Sequence, residues 1–592
     1  MDFDNFFQPR GERIKLKVVS NALLWKTIFL LILIIIIVYF FYLQFFLKKT
    51  FADIEESITS LIYLSFAPRG EIYDNSGKVL ATFKKVFDFY IDVAKVNKNI
   101  DLSELFAAGR VFYRGNQIIV RNVNPEIALK FFNKDKAIQP VPSFQRDYKV
   151  NEEFGNLIGY IGFVDEDNDQ YYKEEFIGKT GLELYYDRYL HGSAGRIVYK
   201  KDKDQLKKVE ESLPSIGSSL YLTVDSSFQK KAYQLIDSYM KENNYKKAAF
   251  VAFDPNSGEI IALISYPSYD PLVFINDPQK TATILNNSEQ PLFNRVISGL
   301  YSPGSTIKLI VAAAALEEKI VTPETKIFAN GLLRIKNPYI PGSYSIFKDN
   351  KVHGWTDIYK AIANSVNIYF YVVGGGYPDD DEQIPIKSGL GIYRLIEYWK
   401  KYNLGEKSGI DFPNEKAGLL PSPEWKARHL FDKQWRLGDT YNVSIGQGDL
   451  LVTPLQIALW TGAMATNKIY KPFLVKKIID NSGRIIFERQ KEIIRDNIIN
   501  ENNLKIIQQG MRMTVTNGTA KTLNDLPVAI AGKSGTPEIL GKQKLNAIFT
   551  GYFPYGKPAV VMTLLIEEVP LGSVATLPLY KELVKAYLDL KK

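Results

Sequence analysis

Apolar positions along the chain fall into three regimes. Residues 27–47 form an unbroken hydrophobic run with no charge and one clearly polar member, Gln44. At about 1.5 Å per residue, such a run spans the roughly 30 Å of a bilayer core. A cleavable signal would be shorter and end in small residues, whereas this run ends in Phe46-Leu-Lys-Lys-Thr50, so an uncleaved anchor helix is expected. From 48 to 215 the pattern is one of short β-like runs and polar breaks, with strands expected at 86–93 and 117–123. After a charged stretch at 200–211 and the turn Leu213-Pro-Ser-Ile-Gly217 the pattern changes, and a domain boundary is placed there.

Beyond that boundary, 220–225 reads as a strand and 227–239 has helical spacing. Residues 248–254 and 259–266 read as strands joined across Pro255-Asn-Ser-Gly258, a hairpin turn. Pro303-Gly304 precedes Ser305, and Ile307, Leu309, Ile310 and an alanine run to Leu316 predict a buried helix with Ser305 in its first turn. Residues 357–371 predict a helix broken at Ser365. Strands are expected at 528–533, 547–553 and 559–567, then a helix at 578–588. The expected fold class is α/β (α+β) and multidomain: an N-terminal transmembrane helix, a β-rich domain, and a domain with a mainly antiparallel sheet flanked by helices. The expected divisions are 1–26, 27–47, 48–215 and 216–592.

Composition narrows the picture. With 592 residues the chain is too long for one compact domain, and 46% hydrophobic residues supply ample core. A net charge of +9 is mild at this length, favours approach to anionic lipid or polymer, and comes without a basic stripe interleaved with aromatics, so nucleic acid is not an expected partner. Zero cysteines exclude disulfides, thiolate metal sites and cysteine nucleophiles. Arg10, Arg13, Lys15, Lys17 and Lys26 flank the apolar run on its N-terminal side, while Lys48 and Lys49 are followed by Asp53, Glu55 and Glu56. This basic excess predicts a cytoplasmic N-terminus, with everything after the anchor on the outer face of the cell membrane.

The candidate chemistry lies in three short motifs, in order: Ser305-Thr-Ile-Lys308, Ser365-Val-Asn367 and Lys533-Ser-Gly-Thr536. Each alone is weak: Ser305 could cap a helix, Ser365 and Asn367 could form a loop, and Lys533 could be a surface charge. Together they suit acyl transfer. A serine at a helix start presents its Oγ to a cleft, with free N–H groups near developing negative charge. Lys308, three residues on, lies on the same face, and burial on an apolar helix favours the neutral amine that can take the Ser305 proton. Ser365 can relay a proton between Lys308 and a leaving amine, and the Asn367 amide can hold Lys308 and the substrate amide together. Gly535 lets substrate backbone approach a strand edge. Lys533, Ser534 and Thr536 can bind a carboxylate, and the backbone N–H groups of Ser305 and Thr536 would form an oxyanion hole. A Ser-His-Asp triad is the other serine chemistry, but His191, His353 and His429 stand beside no G-x-S-x-G elbow and show no metal-ligand spacing. Neither metal nor cofactor is expected.

The three motifs resemble those of serine β-lactamases and penicillin-binding proteins. Over nearly its full length past the anchor, the sequence is similar to class B penicillin-binding proteins. Arg69-Gly-Glu-Ile-Tyr-Asp-Asn-Ser-Gly-Lys-Val-Leu-Ala81 resembles the motif that opens the family's pedestal (dimerisation-type) domain, and Gly178-Lys-Thr-Gly-Leu-Glu-Leu-Tyr-Tyr-Asp187 with Leu190-His-Gly192 resembles its second pedestal motif. Asp254-Pro-Asn-Ser-Gly-Glu-Ile-Ile-Ala262 and Tyr266-Pro-Ser-Tyr-Asp-Pro271 open the transpeptidase domain in the family's manner. Tyr369-Phe-Tyr371, Pro421-Ser-Pro-Glu-Trp-Lys426, Trp435-Arg-Leu-Gly-Asp-Thr440, Ser444-Ile-Gly-Gln-Gly448 and Thr453-Pro-Leu-Gln456 point to the elongation branch, penicillin-binding protein 2. Ser534 stands where many members have Thr, and Pro537 where Ala is common.

The resemblance implies a D,D-transpeptidase that acylates Ser305 with a peptidoglycan stem peptide ending in D-Ala–D-Ala and passes the acyl group to a neighbouring stem's amine. It implies covalent capture by β-lactams. It also implies contact between the pedestal and a membrane glycosyltransferase of the SEDS type and other elongation proteins. A septal transpeptidase and a D,D-carboxypeptidase or β-lactamase share the motifs. A β-lactam sensor or idle scaffold is the non-enzyme alternative, and a sensor usually carries signalling parts that a 1–26 tail is too short to hold.

Overall fold

A computed structural model describes residues 25–42, 60–164, 171–172, 175–202, 205–337, 340, 342–539 and 544–592. The chain forms two compact units, one from residues up to 65 together with 195–213, the other from 66–194 together with 214–592. The first unit contains the apolar helix Trp25–Tyr42, long enough to cross a membrane. The flanking charges that set its expected orientation, Lys26 apart, lie outside the described residues, as do positions 43–47 of the expected span. The same unit holds a three-stranded antiparallel sheet in which Gly195–Asp202 pairs with Ser60–Ser65 on one side and Gln205–Ser212 on the other.

In the second unit an eight-stranded sheet takes strands from both sides of position 215. Ser219–Leu222 pairs parallel with Ile72–Tyr73, placing Leu220 opposite Ile72, and antiparallel with Val475–Ile479. Val79–Asp92 is the sheet's long spine, paired with Gln117–Val123 and, from Ala81 to Ile91, with Ile138–Tyr148. The strand expected at 86–93 thus begins seven positions earlier. Exposed Lys84 and Lys85 interrupt its apolar pattern, but the register with Ile138–Tyr148 carries the backbone through them.

The sheet that positions the site is five-stranded and antiparallel throughout, in the order Ile260–Tyr266, Ala248–Phe253, Val560–Val569, Leu545–Phe553, Ala531–Gly535. Both faces are covered, so its strands read as continuous apolar runs. Ala248, Phe250 and Ala252 face a cluster that includes Phe228 and Ile236 of the helix Ser226–Glu242 and Leu583 of the helix Leu577–Leu590. Ala249, Val251 and Phe253 face the opposite cluster, with Leu309 and Ile310 of the helix Lys308–Glu317 and Trp460 of the helix Pro454–Thr466. The period-2 alternation of a strand, filled on both sides, therefore fixes the register and packs the buried middle helices under one face. The fold class is as the sequence predicts.

Candidate active site

The strand expected at 528–533 lies at Ala531–Gly535, because Ala529 instead accepts the Tyr555 N–H through its carbonyl at 2.8 Å. Ser534 and Gly535 are therefore inside the strand at the sheet's edge together with Lys533, rather than following it. A Cβ on Gly535 would lie 3.0 Å from both Pro303 O and Thr306 Cγ2, so the edge runs against the turn that carries Ser305. The Thr536 backbone nitrogen is at the same place, 3.2 Å from where a Cβ on Gly304 would sit.

Ser305 differs from expectation in one respect. It lies in a short 3-10 turn, Gly304–Ile307, and the α-helix begins at Lys308. In 3-10 geometry, residues i and i+3 eclipse. The turn thus puts positions 305 and 308 on one face. Ser305 is half-buried, whereas Thr306, Ile307 and Lys308 are buried. The turn is held by the Thr306 hydroxyl, which donates to Pro303 O at 2.7 Å, and by the Gly304 N–H, which donates to Gly446 O at 3.0 Å.

Lys308 reaches the second motif. Its Nζ lies 2.6 Å from Asn367 Oδ1, 2.8 Å from Ser365 O and 3.3 Å from Ser365 Oγ. Burial lowers its pKa to about 7, with the Asp349 carboxylate opposing. The helix expected over 357–371 is broken where the sequence predicts: Ile358–Asn364 ends at Ser365, whose left-handed φ of 58° starts a new helix at Asn367. A serine in that conformation costs on the order of 1 kcal/mol, and here it turns both its carbonyl and its hydroxyl onto the Lys308 amine.

Lys533 is buried, and its Nζ donates to Ser534 O at 3.0 Å. Burial first, and then the charge of Lys308, hold its pKa well below that of an ordinary lysine. Ser534 Oγ pairs with Thr519 Oγ1 at 2.8 Å, and Thr536 Oγ1 accepts the Ser573 N–H at 3.0 Å. All three motifs therefore converge: Lys308 contacts Ser365 and Asn367, while the 533–536 edge packs on the Ser305 turn.

Sequence reasoning missed three supporting groups. Gly446, in the Ser444–Gly448 stretch (read only as a family cue), packs its backbone on Gly304, and a Cβ there would fall 2.1 Å from Gly304 O. Thr519 ties the helix Ile358–Asn364, which leads into the second motif, to the third motif, its N–H donating to Ala363 O at 3.1 Å and its hydroxyl meeting Ser534. Asp349 accepts the Ile368 N–H at 3.0 Å. No short-range spacing signals any of the three.

Comparison with known proteins shows the family. Residues 248–588 match the penicillin binding protein transpeptidase domain, and 65–222 match the penicillin-binding protein dimerisation domain. The chain is 30% identical to the peptidoglycan D,D-transpeptidase MrdA of Haemophilus influenzae over 88% of this chain and 84% of that protein. It is 28% identical to the MrdA of Escherichia coli K12, over 86% and 85%. Its fold superposes on penicillin-binding protein 2 of Helicobacter pylori, solved in complex with MreC, with a TM-score of 0.72 and 26% identity over 89% of this chain and 98% of that one. Penicillin-binding protein 2 of Pseudomonas aeruginosa, solved in complex with WCK 5153, gives a TM-score of 0.65 at 26% identity, over 89% and 97%. The chain belongs to the class B penicillin-binding proteins, with a dimerisation domain ahead of a transpeptidase domain.

Proposed function

We propose that this chain is a peptidoglycan D,D-transpeptidase of cell-wall elongation and that Ser305 is its nucleophile. The observation that carries the reading is the contact of the buried Lys308 amine with Asn367 Oδ1 and Ser365 O, three residues along a 3-10 turn from Ser305. A neutral amine has two N–H groups and one lone pair. The two closer acceptors occupy the N–H groups, which leaves the lone pair for a hydroxyl proton, with Ser365 Oγ the third neighbour at 3.3 Å.

In this mechanism Lys308 takes the Ser305 proton as Oγ attacks the carbonyl carbon of the penultimate D-Ala. The oxyanion that forms is met by the backbone N–H groups of Ser305 and Thr536. Lys533, Ser534 and Thr536 hold the terminal carboxylate. The C–N bond then breaks, the proton passes from Lys308 through Ser365 to the departing D-Ala amine, and the acyl group remains on Ser305. A stem-peptide amine attacks this ester, gives up a proton by the same route in reverse, and leaves as the cross-linked product with Ser305 restored. β-Lactams enter the first half of this sequence and stop at the acyl-enzyme.

The apolar helix anchors the chain in the cell membrane, with the N-terminus cytoplasmic and residues 48–215 and 216–592 outside as pedestal and transpeptidase domains. The relatives named MrdA, and the MreC complex of the Helicobacter pylori protein, support a place in elongation, with a SEDS-type glycosyltransferase and other elongation proteins as partners. The test is intact-protein mass spectrometry after exposure to penicillin. One penicilloyl adduct located at Ser305, and none in Ser305→Ala of unchanged melting behaviour, is the expected result. An adduct surviving in Ser305→Ala overturns the reading.

A further inference from the structure

The mechanism above leaves the carboxylate of Asp349 unused, although its side chain is fully buried. Asp349 directly follows the strand Tyr344–Lys348. Its Oδ2 accepts the Ile368 N–H at 3.0 Å. Ile368 is the second residue of the helix Asn367–Gly375, and Val366, at the position before that helix, supplies no side-chain cap. Asp349 thus provides, from a distant segment, the acceptor that an N-terminal helix donor requires. Its Oδ1 accepts the Asn350 N–H at 2.8 Å and lies 3.6 Å from His353 Nε2. The neighbouring Lys348 carbonyl adds two longer contacts to the same helix, from the Tyr371 hydroxyl at 3.4 Å and Asn367 Nδ2 at 3.5 Å.

Two basic side chains feel this carboxylate: His353, 3.6 Å away, and Lys308, whose amine is held by Asn367 beside the Ile368 N–H that Asp349 accepts. Burial lowers the pKa of His353, and Lys351, Lys360 and Lys308 push the same way against Asp349. At neutral pH the imidazole is uncharged and leaves the Asp349 charge to act on Lys308. Burial, and then the charge of Lys308, lower the proton affinity of Lys533. Tyr371 is held in its neutral phenol form by burial and then by Asp349 and Glu538.

We propose that Asp349 is a positioning residue of acylation: it seats the first turn of the helix that carries Asn367, and its carboxylate acts on the Lys308 amine that Asn367 holds. This rests on the reading of Lys308 as the base. Asp349→Asn keeps an acceptor oxygen for the Ile368 N–H and removes the charge, whereas Asp349→Ala removes both.

The experiment measures the rate of labelling of the full chain by a fluorescent penicillin between about pH 5 and 9, with melting temperatures alongside. For Asp349→Asn the high-pH rate stays near wild type, while the acid limb moves to lower pH by roughly half a unit or more, because the amine loses its counter-charge. For Asp349→Ala the high-pH rate falls on the order of tenfold as Asn367 loses its seat. An Asp349→Asn profile identical to wild type, or one that is slower at every pH with its acid limb unmoved, overturns the proposal. If Asp349→Ala does not fold, the limb of Asp349→Asn decides alone. Failure of the underlying reading looks different, since the wild-type chain itself would then carry no adduct on Ser305, or would label at a rate flat across pH 7.

Discussion

Lys308 Nζ and Asn367 Oδ1 lie 2.6 Å apart, in a site where burial has already brought the lysine's pKa to about 7. The sign of the resulting pH dependence follows. The working form is the neutral amine, which predominates above about pH 7 and is lost below it. The rate of acylation by penicillin is therefore expected to fall about tenfold per pH unit on the acid side and to level off on the alkaline side. Lys308→Ala should slow acylation by roughly 10²–10⁴-fold at pH 8 without shifting the melting temperature downward in proportion. Stopped-flow labelling checks both, and a near-normal rate in Lys308→Ala removes Lys308 from the chemistry.

Gly446 tests whether the serine turn is held from outside the three motifs. Its φ is 77°, and a Cβ would meet Gly304 O at 2.1 Å and Gly304 N at 2.6 Å, both rigid backbone atoms next to the nucleophile. Gly446→Ala should destabilise the domain by about 1–3 kcal/mol and slow acylation by at least about tenfold in the molecules that remain folded. Gly448→Ala is the control: its φ of 72° carries the same backbone penalty, but the nearest atoms are side-chain carbons 3.6 Å and 3.8 Å away. It should lose stability while keeping its acylation rate. Equal rates for the two variants would show that the turn does not depend on Gly446.

How much of this was legible in the sequence depends on the range of each interaction. The break at Ser365 and the pairing of 248–254 with 259–266 are local and were read correctly from turn chemistry and periodicity. The strand at Ala531–Gly535 was displaced by three residues because the apolar run 528–531 gives no sign that Ala529 turns away to Tyr555. The 3-10 turn at Gly304–Ile307 is indistinguishable from α-helix in the sequence, since i+3 spacing does not separate the two forms. The eight-stranded sheet joins Ile72 to Leu220, a pairing that a pattern change near 215 conceals. Asp349, Thr519 and Gly446 act across long sequence separations on residues whose own motifs look complete without them.

Ser534 lies inside the strand Ala531–Gly535, and its hydroxyl meets Thr519 Oγ1 at 2.8 Å. Whichever of the two donates, one proton of the pair remains to meet an anion. Ser534→Thr should preserve acylation. Ser534→Ala should reduce kcat/KM about 10–100-fold for ligands bearing the free carboxylate, mainly through KM, because a hydrogen bond to a charged group is lost. A ligand lacking that carboxylate should react with both variants at one rate. If it discriminates between them as strongly, Ser534 does not bind the carboxylate.

Asp411 is expected to matter for stability alone. Its side chain is 2% exposed and accepts the Leu474 N–H at 2.7 Å, the Val475 N–H at 2.9 Å and the Tyr186 hydroxyl at 2.6 Å, with Arg489 Nη2 at 3.4 Å. One carboxylate thus joins the start of the strand Val475–Ile479 to a tyrosine of the 66–194 segment. Burial and Asp411 together hold that tyrosine in its neutral, donating form. Asp411→Ala strands two backbone donors and a phenol in a buried site, with a partly exposed guanidinium beside them, and should cost about 3–5 kcal/mol. Asp411→Asn, with one acceptor oxygen, should cost less. Chemical denaturation measures the loss, and penicillin labelling of the folded fraction should proceed at the wild-type rate, because none of these contacts reaches the 305–308 turn. A loss below about 0.5 kcal/mol for Asp411→Ala would mean that water replaces the carboxylate and that the junction is open.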